Sequence, residues 1–140
     1  MENVVYKTEK FAAKTENFPA VWDFVSGELT AHGVGDVLLM EIELSVEEVF
    51  VNIASYAYPD SDGDAVVGVS VNDGAVMLKF EDSGVPFDPI AAPAPDTELP
   101  AEERQIGGLG IFLVKKMMDD VSYRYEEGKN ILVIKKLLHA

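Results

Sequence analysis

Two rhythms of apolar residues alternate along the chain. Val21, Trp22, Phe24, Val25 and Leu29 recur at helical spacing. Asn17 as N-cap and Pro19 in the first turn open that helix, and His32-Gly33 end it. A longer stripe runs from Val37 to about Tyr58 through Leu38, Ile42, Val46, Val49, Phe50, Ile53 and Ala57. Gly35-Asp36 opens this second helix, and Pro59 with the run Asp60 to Asp64 stops it. A third helical pattern covers Leu109 to Asp120.

Shorter β-branched and aromatic runs read as strands: Val4–Phe11, Ala65–Val71, Val76–Glu81, Val121–Tyr125 and Ile131–Leu137. Asn72-Asp73-Gly74 makes a tight turn between the second and third. Glu127-Gly128-Lys129-Asn130 closes the last pair into a hairpin. Residues 90–105 keep neither rhythm. Pro93, Pro95 and Pro100 lie among alanines and acids there, which predicts a loop or lid. Strands joined by short turns favour a mostly antiparallel, mixed sheet, and three helices then cover one face of it. The expected fold class is α+β, a two-layer α/β sandwich, and residues 1–140 form a single domain.

Composition narrows the chemistry. The chain has no cysteine, which excludes disulfides, thiolate metal sites and cysteine nucleophiles. MENVVYKTEK at the start has no apolar core of a secretory signal, and runs such as Val37–Met40 are too short to span a bilayer. The expectation is a cytoplasmic protein with no membrane partner. A net charge of −14 opposes a phosphate backbone, so no nucleic acid partner is expected. The same charge opposes a nucleoside triphosphate. A site for one requires a metal cation and backbone N–H donors.

Three segments carry candidate chemistry. On the second helix, Glu48 and Asn52 are four apart and share a face roughly opposite the stripe of Val46, Val49, Phe50 and Ile53. A carboxylate there can accept a proton from an attacking hydroxyl, and an amide oxygen can ligate Mg2+. Two plainer readings compete. The pair is a solvated face, or Ser45 and Glu48 form a capping box and the helix starts there. Continuity of the stripe back to Leu38 argues against the box.

The second segment is Phe80-Glu81-Asp82-Ser83-Gly84-Val85-Pro86-Phe87-Asp88. Asp82 at a strand end can accept a hydrogen bond from the exocyclic amine of adenine, and Gly84 lets the backbone approach the base. The plainer reading is a surface turn. The third is Arg104-Gln105-Ile106-Gly107-Gly108-Leu109-Gly110-Ile111, three glycines opening a helix. Their N–H groups and the helix dipole suit a phosphate chain, and Arg104 can reach a γ-phosphate. It is neither a Walker A loop nor a dinucleotide fingerprint. The plainer reading is a glycine hinge. Specificity lies in the combination and its order.

Those segments resemble the asparagine box and the two glycine boxes of the GHKL superfamily, and most closely its small anti-sigma-factor serine/threonine kinases. The likeness extends over nearly the whole chain. It implies the histidine-kinase-like ATPase (Bergerat) fold, ATP and Mg2+. It makes Glu48 the general base toward a partner's serine or threonine hydroxyl and Asn52 the metal ligand. Asp82 would recognise adenine, Gly84 and Pro86 would shape the base pocket, and Arg104, Gly107, Gly108, Leu109, Gly110 and Ile111 would hold the phosphates. Residues 90–105 become the ATP lid. The implied partners are a sigma factor and a STAS-domain anti-sigma-factor antagonist. Exposed apolar positions on the first helix become candidates for a homodimer or partner surface.

Three positions depart from the pattern. Pro86 replaces a glycine, Tyr56 replaces a histidine, and Gly128-Lys129-Asn130 stands where a threonine near the adenine is often found. A histidine kinase is not expected, since the two histidines, His32 and His139, lie at a helix end and beside the C-terminus. The alternative function is a non-catalytic, nucleotide-gated module that sequesters a sigma factor or other regulator. Retention of Glu48 argues for catalysis.

Overall fold

The computed structural model describes residues 4–89 and 108–138. The chain order is β1 (Lys7–Ala12), a 3-10 turn (Thr15–Asn17), α1 (Phe18–Ala31), α2 (Asp36–Tyr56), β2 (Asp64–Asn72), β3 (Ala75–Asp82), α3 (Gly108–Met117), β4 (Asp120–Glu126) and β5 (Lys129–Leu137). The five strands lie in the order β1-β2-β3-β5-β4, and each neighbouring pair is antiparallel. The mixed sheet expected from the sequence is therefore antiparallel at every described pairing.

Alternation along each strand decides which residues meet the helices. Val67 and Val69 of β2, Val76, Leu78 and Phe80 of β3, and Leu132 and Ile134 of β5 are buried together. The same core takes Val21, Val25 and Leu29 from α1, Ile42, Val46, Val49 and Phe50 from α2, and Ile111 and Val114 from α3. One sheet face is thus packed under a single helical layer. No described helix is long and apolar enough to cross a membrane.

Several local expectations change. Asn17 precedes α1, but its side chain donates to the Ala12 carbonyl at 3.0 Å and does not cap the helix. Helix α2 starts at Asp36, behind Gly35, and Ser45 lies inside it with its hydroxyl donating to the Glu41 carbonyl. That removes the capping-box reading of Ser45 and Glu48. His32 does stand at the end of α1, with Nδ1 2.9 Å from the Glu28 carbonyl, and Gly33 follows at φ 79°. The last hairpin loop is shorter than expected. Glu126 pairs with Lys129, so only Glu127-Gly128 turn, both at positive φ. Lys129 and Asn130 belong to β5.

Helix α2 also ends slightly earlier than its pattern suggests. Tyr58 leaves it, donating its hydroxyl to the Asp64 carbonyl at 2.6 Å and accepting the Ser83 N–H at 2.8 Å. The loop after β3 then packs against the last turn of α2, where the Val85 N–H donates to the Ala57 carbonyl at 2.8 Å. Gly84 permits this approach. A Cβ there would sit 2.1 Å from the Ala57 oxygen, a backbone atom that cannot swing aside. We expect Gly84→Ala to destabilise the fold by about 1–3 kcal/mol through this overlap. Chemical denaturation checks it, and unchanged stability would show that the loop does not depend on the contact.

Candidate functional site

The inward phase of β3 runs Val76, Leu78, Phe80 and then Asp82, so the alternation that builds the core delivers a carboxyl group at its last step. Directly opposite in the ladder stands Asn130, the first inward residue of β5 before Leu132 and Ile134. Both are 7% exposed. Above them the helical layer opens into a cleft. Its walls are Val49, Ile53 and Ala57 of the α2 region, Phe80 and Leu132 of the sheet, Val85, Phe87 and Pro89 of the loop, and Ile111 of α3. Asn52, Tyr56, Asp82, Tyr123 and Asn130 add polar groups. That balance of apolar wall to few polar groups suits a small flat ligand.

Asn130 is held by all four positions of its amide. Its Nδ2 donates to Asp82 Oδ1 and to the Val85 carbonyl, each at 2.9 Å, while its Oδ1 accepts the Phe87 N–H at 3.1 Å and the Tyr123 hydroxyl. The orientation is forced, because a flipped amide would set oxygen against two acceptors. Tyr123 is held above the ordinary phenol range mainly by burial, with neighbouring carboxylates adding to the effect and the Phe87 backbone opposing it. The hydroxyl therefore keeps its proton and donates. Asp82 Oδ1 accepts a second bond, from the Gly84 N–H at 2.9 Å. With two donors converging on Oδ1, Oδ2 is the oxygen that can accept from a ligand.

Glu48 stands elsewhere. It lines a neighbouring groove between α2 and α3, with Leu44, Val51, Leu113, Val114 and Met117. Asn52, one turn further along α2, reaches the Asp82 cleft. The two residues are therefore neither a solvated face nor opposite the apolar stripe. They lie along its flank, since Asn52 shares its cleft with Val49 and Ile53. Helix α3 borders both spaces, Ile111 at the cleft and Val114 and Met117 at the groove, so it runs back along α2 past Glu48. Burial among apolar neighbours pushes the Glu48 carboxyl above the usual range, and the charge of Glu47 adds to it.

Of the remaining candidates, Gly108, Leu109, Gly110 and Ile111 form the first described turn of α3. Gly84 does not line the cleft, and the close approach it allows is to Ala57. Pro86 is exposed and does not line the cleft, whereas its neighbours Val85 and Phe87 do. Arg104, Gly107, His139 and the segment 90–105 read as a lid lie outside the described residues. Asn130 was absent from the sequence-derived candidates. Its phase with Leu132 and Ile134 was the signal, hidden while it was assigned to the turn. Tyr123 and Phe87 were missed for a similar reason, as contacts that need the paired strands. Of the helices, α2 (Val37, Met40, Leu44, Tyr56) and α3 (Phe112, Leu113) carry large exposed apolar side chains among the described residues, and α1 carries none.

A metal fits this donor set in one particular way. No cluster of three or more acidic or histidine side chains able to hold an ion occurs among the described residues. Asn52, which reaches the cleft, offers a hard amide oxygen. A single such donor suits Mg2+, which keeps waters and shares its coordination with a phosphate ligand.

Residues 11–136 match the family described as Histidine kinase-like ATPase domain. Similar proteins include "Serine-protein kinase RsbW" of Listeria monocytogenes, 28% identical over 133 residues, covering 86% of this chain and 85% of that one. Proteins of the same name from Bacillus cereus and Oceanobacillus iheyensis are 25% and 27% identical, covering 91% and 96% of this chain and 86% and 89% of theirs. Among solved structures, the Acinetobacter baumannii histidine kinase AdeS aligns with a TM-score of 0.53 at 16% identity, over 98% of this chain and 70% of that one. That likeness concerns the fold.

The raised Glu48 pKa gives a stability prediction. Between the ordinary and the raised value the folded state holds the proton more tightly than the unfolded state. Stability therefore falls as pH rises through that window, and the penalty is complete above it. Glu48→Gln should raise the Tm at pH 7, and the gain should vanish below about pH 4, where glutamate is protonated in both states. Thermal unfolding at both pH values checks this. An unchanged or lower Tm for the variant at pH 7 would contradict it.

Proposed function

The chain belongs to the histidine kinase-like ATPase family, and from that premise we propose that it is an ATP-dependent protein serine/threonine kinase acting as an anti-sigma regulatory factor. The observation that carries this reading is the one buried carboxyl group among the described residues, at the floor of an apolar cleft bordered by the α2 flank that bears Asn52 and Glu48. Similarity to serine-protein kinases named RsbW supports the choice of a protein hydroxyl as acceptor and of a sigma-factor regulator as context.

On this reading the adenine ring lies between Ile53, Ile111, Phe80 and Leu132, with its exocyclic amine donating to Asp82. The phosphates extend toward the first turn of α3, whose N–H groups and dipole favour anionic oxygen. Asn52 would hold Mg2+, which when bound offsets the charge of the phosphates. Glu48 faces a groove a protein segment can enter. Its carboxylate accepts the proton of the attacking serine or threonine hydroxyl. The new bond forms between that oxygen and the γ-phosphorus, the β–γ bridging P–O bond breaks, and ADP leaves with the electron pair. A carboxyl raised by burial is a stronger base once ionised, and it loses that form at a higher pH than an exposed glutamate. The protein acceptor is a STAS-domain antagonist, and a sigma factor is the alternative partner.

The test is transfer of label from γ-labelled ATP to a serine or threonine of a STAS-domain protein of the source organism. Glu48→Gln should keep MgATP affinity while lowering transfer by about 100-fold or more. Transfer by the wild type should also decline on the acid side earlier than an exposed glutamate would impose. ATP binding without transfer by the wild type would favour a nucleotide-gated binding module instead. Asn52→Ala should weaken ATP binding in the presence of Mg2+ and leave metal-free affinity unchanged. Calorimetric titration with and without the ion reads the difference, and equal losses in both would remove Asn52 from the metal.

A further inference from the structure

We infer that Asn130 is a positioning residue for base recognition: its amide fixes which oxygen of Asp82 meets the ligand and ties that carboxyl group to the loop roofing the cleft. The inference rests on the nucleotide reading above and assigns Asn130 no contact with the base. Three features carry it. Asn130 is the direct cross-strand partner of Asp82, so the ladder itself sets their separation. One Nδ2 proton occupies Asp82 Oδ1, which leaves Oδ2 as the oxygen with capacity for a ligand. The other amide positions hold Val85 and Phe87, two of the loop residues that line the cleft, and accept the Tyr123 hydroxyl.

The arrangement is closed. A buried side chain that makes every bond its amide can make has no capacity left for a ligand and no alternative rotamer of equal energy. Its effect on binding must therefore pass through Asp82 and the loop. A threonine, with one hydroxyl and one donor proton, could not make this set of bonds. The asparagine thus makes the acceptor side of Asp82 rigid. A rigid acceptor rewards a ligand with an N–H at one defined point and penalises one without it.

The experiment compares two ligands on the same protein: ATP and purine riboside triphosphate, which lacks the exocyclic amine. The wild type should prefer ATP. Asn130→Ala should lower ATP affinity while leaving the amine-free analogue nearly unaffected, reducing the preference roughly tenfold, the scale of one hydrogen bond to a charged group. Asn130→Asp keeps the size and the acceptor for Phe87 and Tyr123 but removes the donor to Asp82, and should lose the preference as well. Equal weakening of both ligands would mark Asn130 as merely structural and overturn the inference, with ATP binding left intact. A wild type that does not bind ATP would overturn the nucleotide reading and this inference with it. A measurement on the unaltered protein does not depend on the variants folding. The side-chain amide resonances of Asn130 should shift with ATP and stay in place with the amine-free analogue, and identical responses to both would refute the coupling.

Discussion

A carboxyl group buried at the end of a sheet sets the terms for everything around it. Leaving Asp82 out of water without partners would cost several kcal/mol. The chain meets that demand with the Gly84 N–H and the Asn130 amide, and each of these draws further structure after it. Gly84 can turn there only because its missing Cβ lets the loop lie on Ala57. Asn130 can face Asp82 only in the observed β3–β5 register. A slip of one residue would send Asn130 to the outer face and leave the carboxyl group with the Gly84 N–H alone. The requirement of one buried acid thus constrains a loop, a hairpin and the end of a helix.

The elements themselves were largely legible in the sequence. Long stripes such as Val46, Val49, Phe50 and Ile53 announce a buried helix face with little ambiguity, and α2 runs from Asp36 to Tyr56 as one unbroken element. Asn72-Asp73-Gly74 declares its turn because positive φ is cheap for those residues. What could not be read was anything that depends on two segments meeting. Asp82 was visible as a strand-end acid, yet its partner lies 48 residues away and was taken for part of a turn. Phe87 and Tyr123 carry no local mark of their role. Their place follows from a register that only the folded sheet defines. Pro86 misled for the converse reason. Motif spacing put it at the pocket, while its neighbours are the ones turned toward the cleft.

Glu48 illustrates how one helix serves two purposes. Most of the inward face of α2 is core, but its flank carries a half-buried carboxyl group among Leu44, Val51, Leu113 and Met117. That placement raises its proton affinity and disfavours the charged form. If Glu48 is the base proposed above, the fold is weakened in order to hold a reactive group, the usual relation between stability and activity. The cost is tolerable here because Val46, Val49 and Phe50 on the same turns are almost wholly buried.

The two ends of the proposed ligand would be treated differently by this protein. At the base end, recognition comes from neutral walls and one acid whose geometry is fixed before anything binds. At the phosphate end, a chain of net charge −14 has to receive a polyanion. Among the described residues the cleft lining holds no lysine or arginine, so within them positive potential would come from the α3 N-terminus and a bound divalent ion. Affinity and specificity are then separable. On the proposed reading, specificity for adenine would belong to the Asp82–Asn130 pair and would be independent of salt and metal, because the pair is buried and the contact short-ranged. Affinity for the triphosphate belongs to screened, long-range terms and varies with both. Such a division lets the same scaffold keep its choice of base constant while phosphate binding answers to the ionic surroundings.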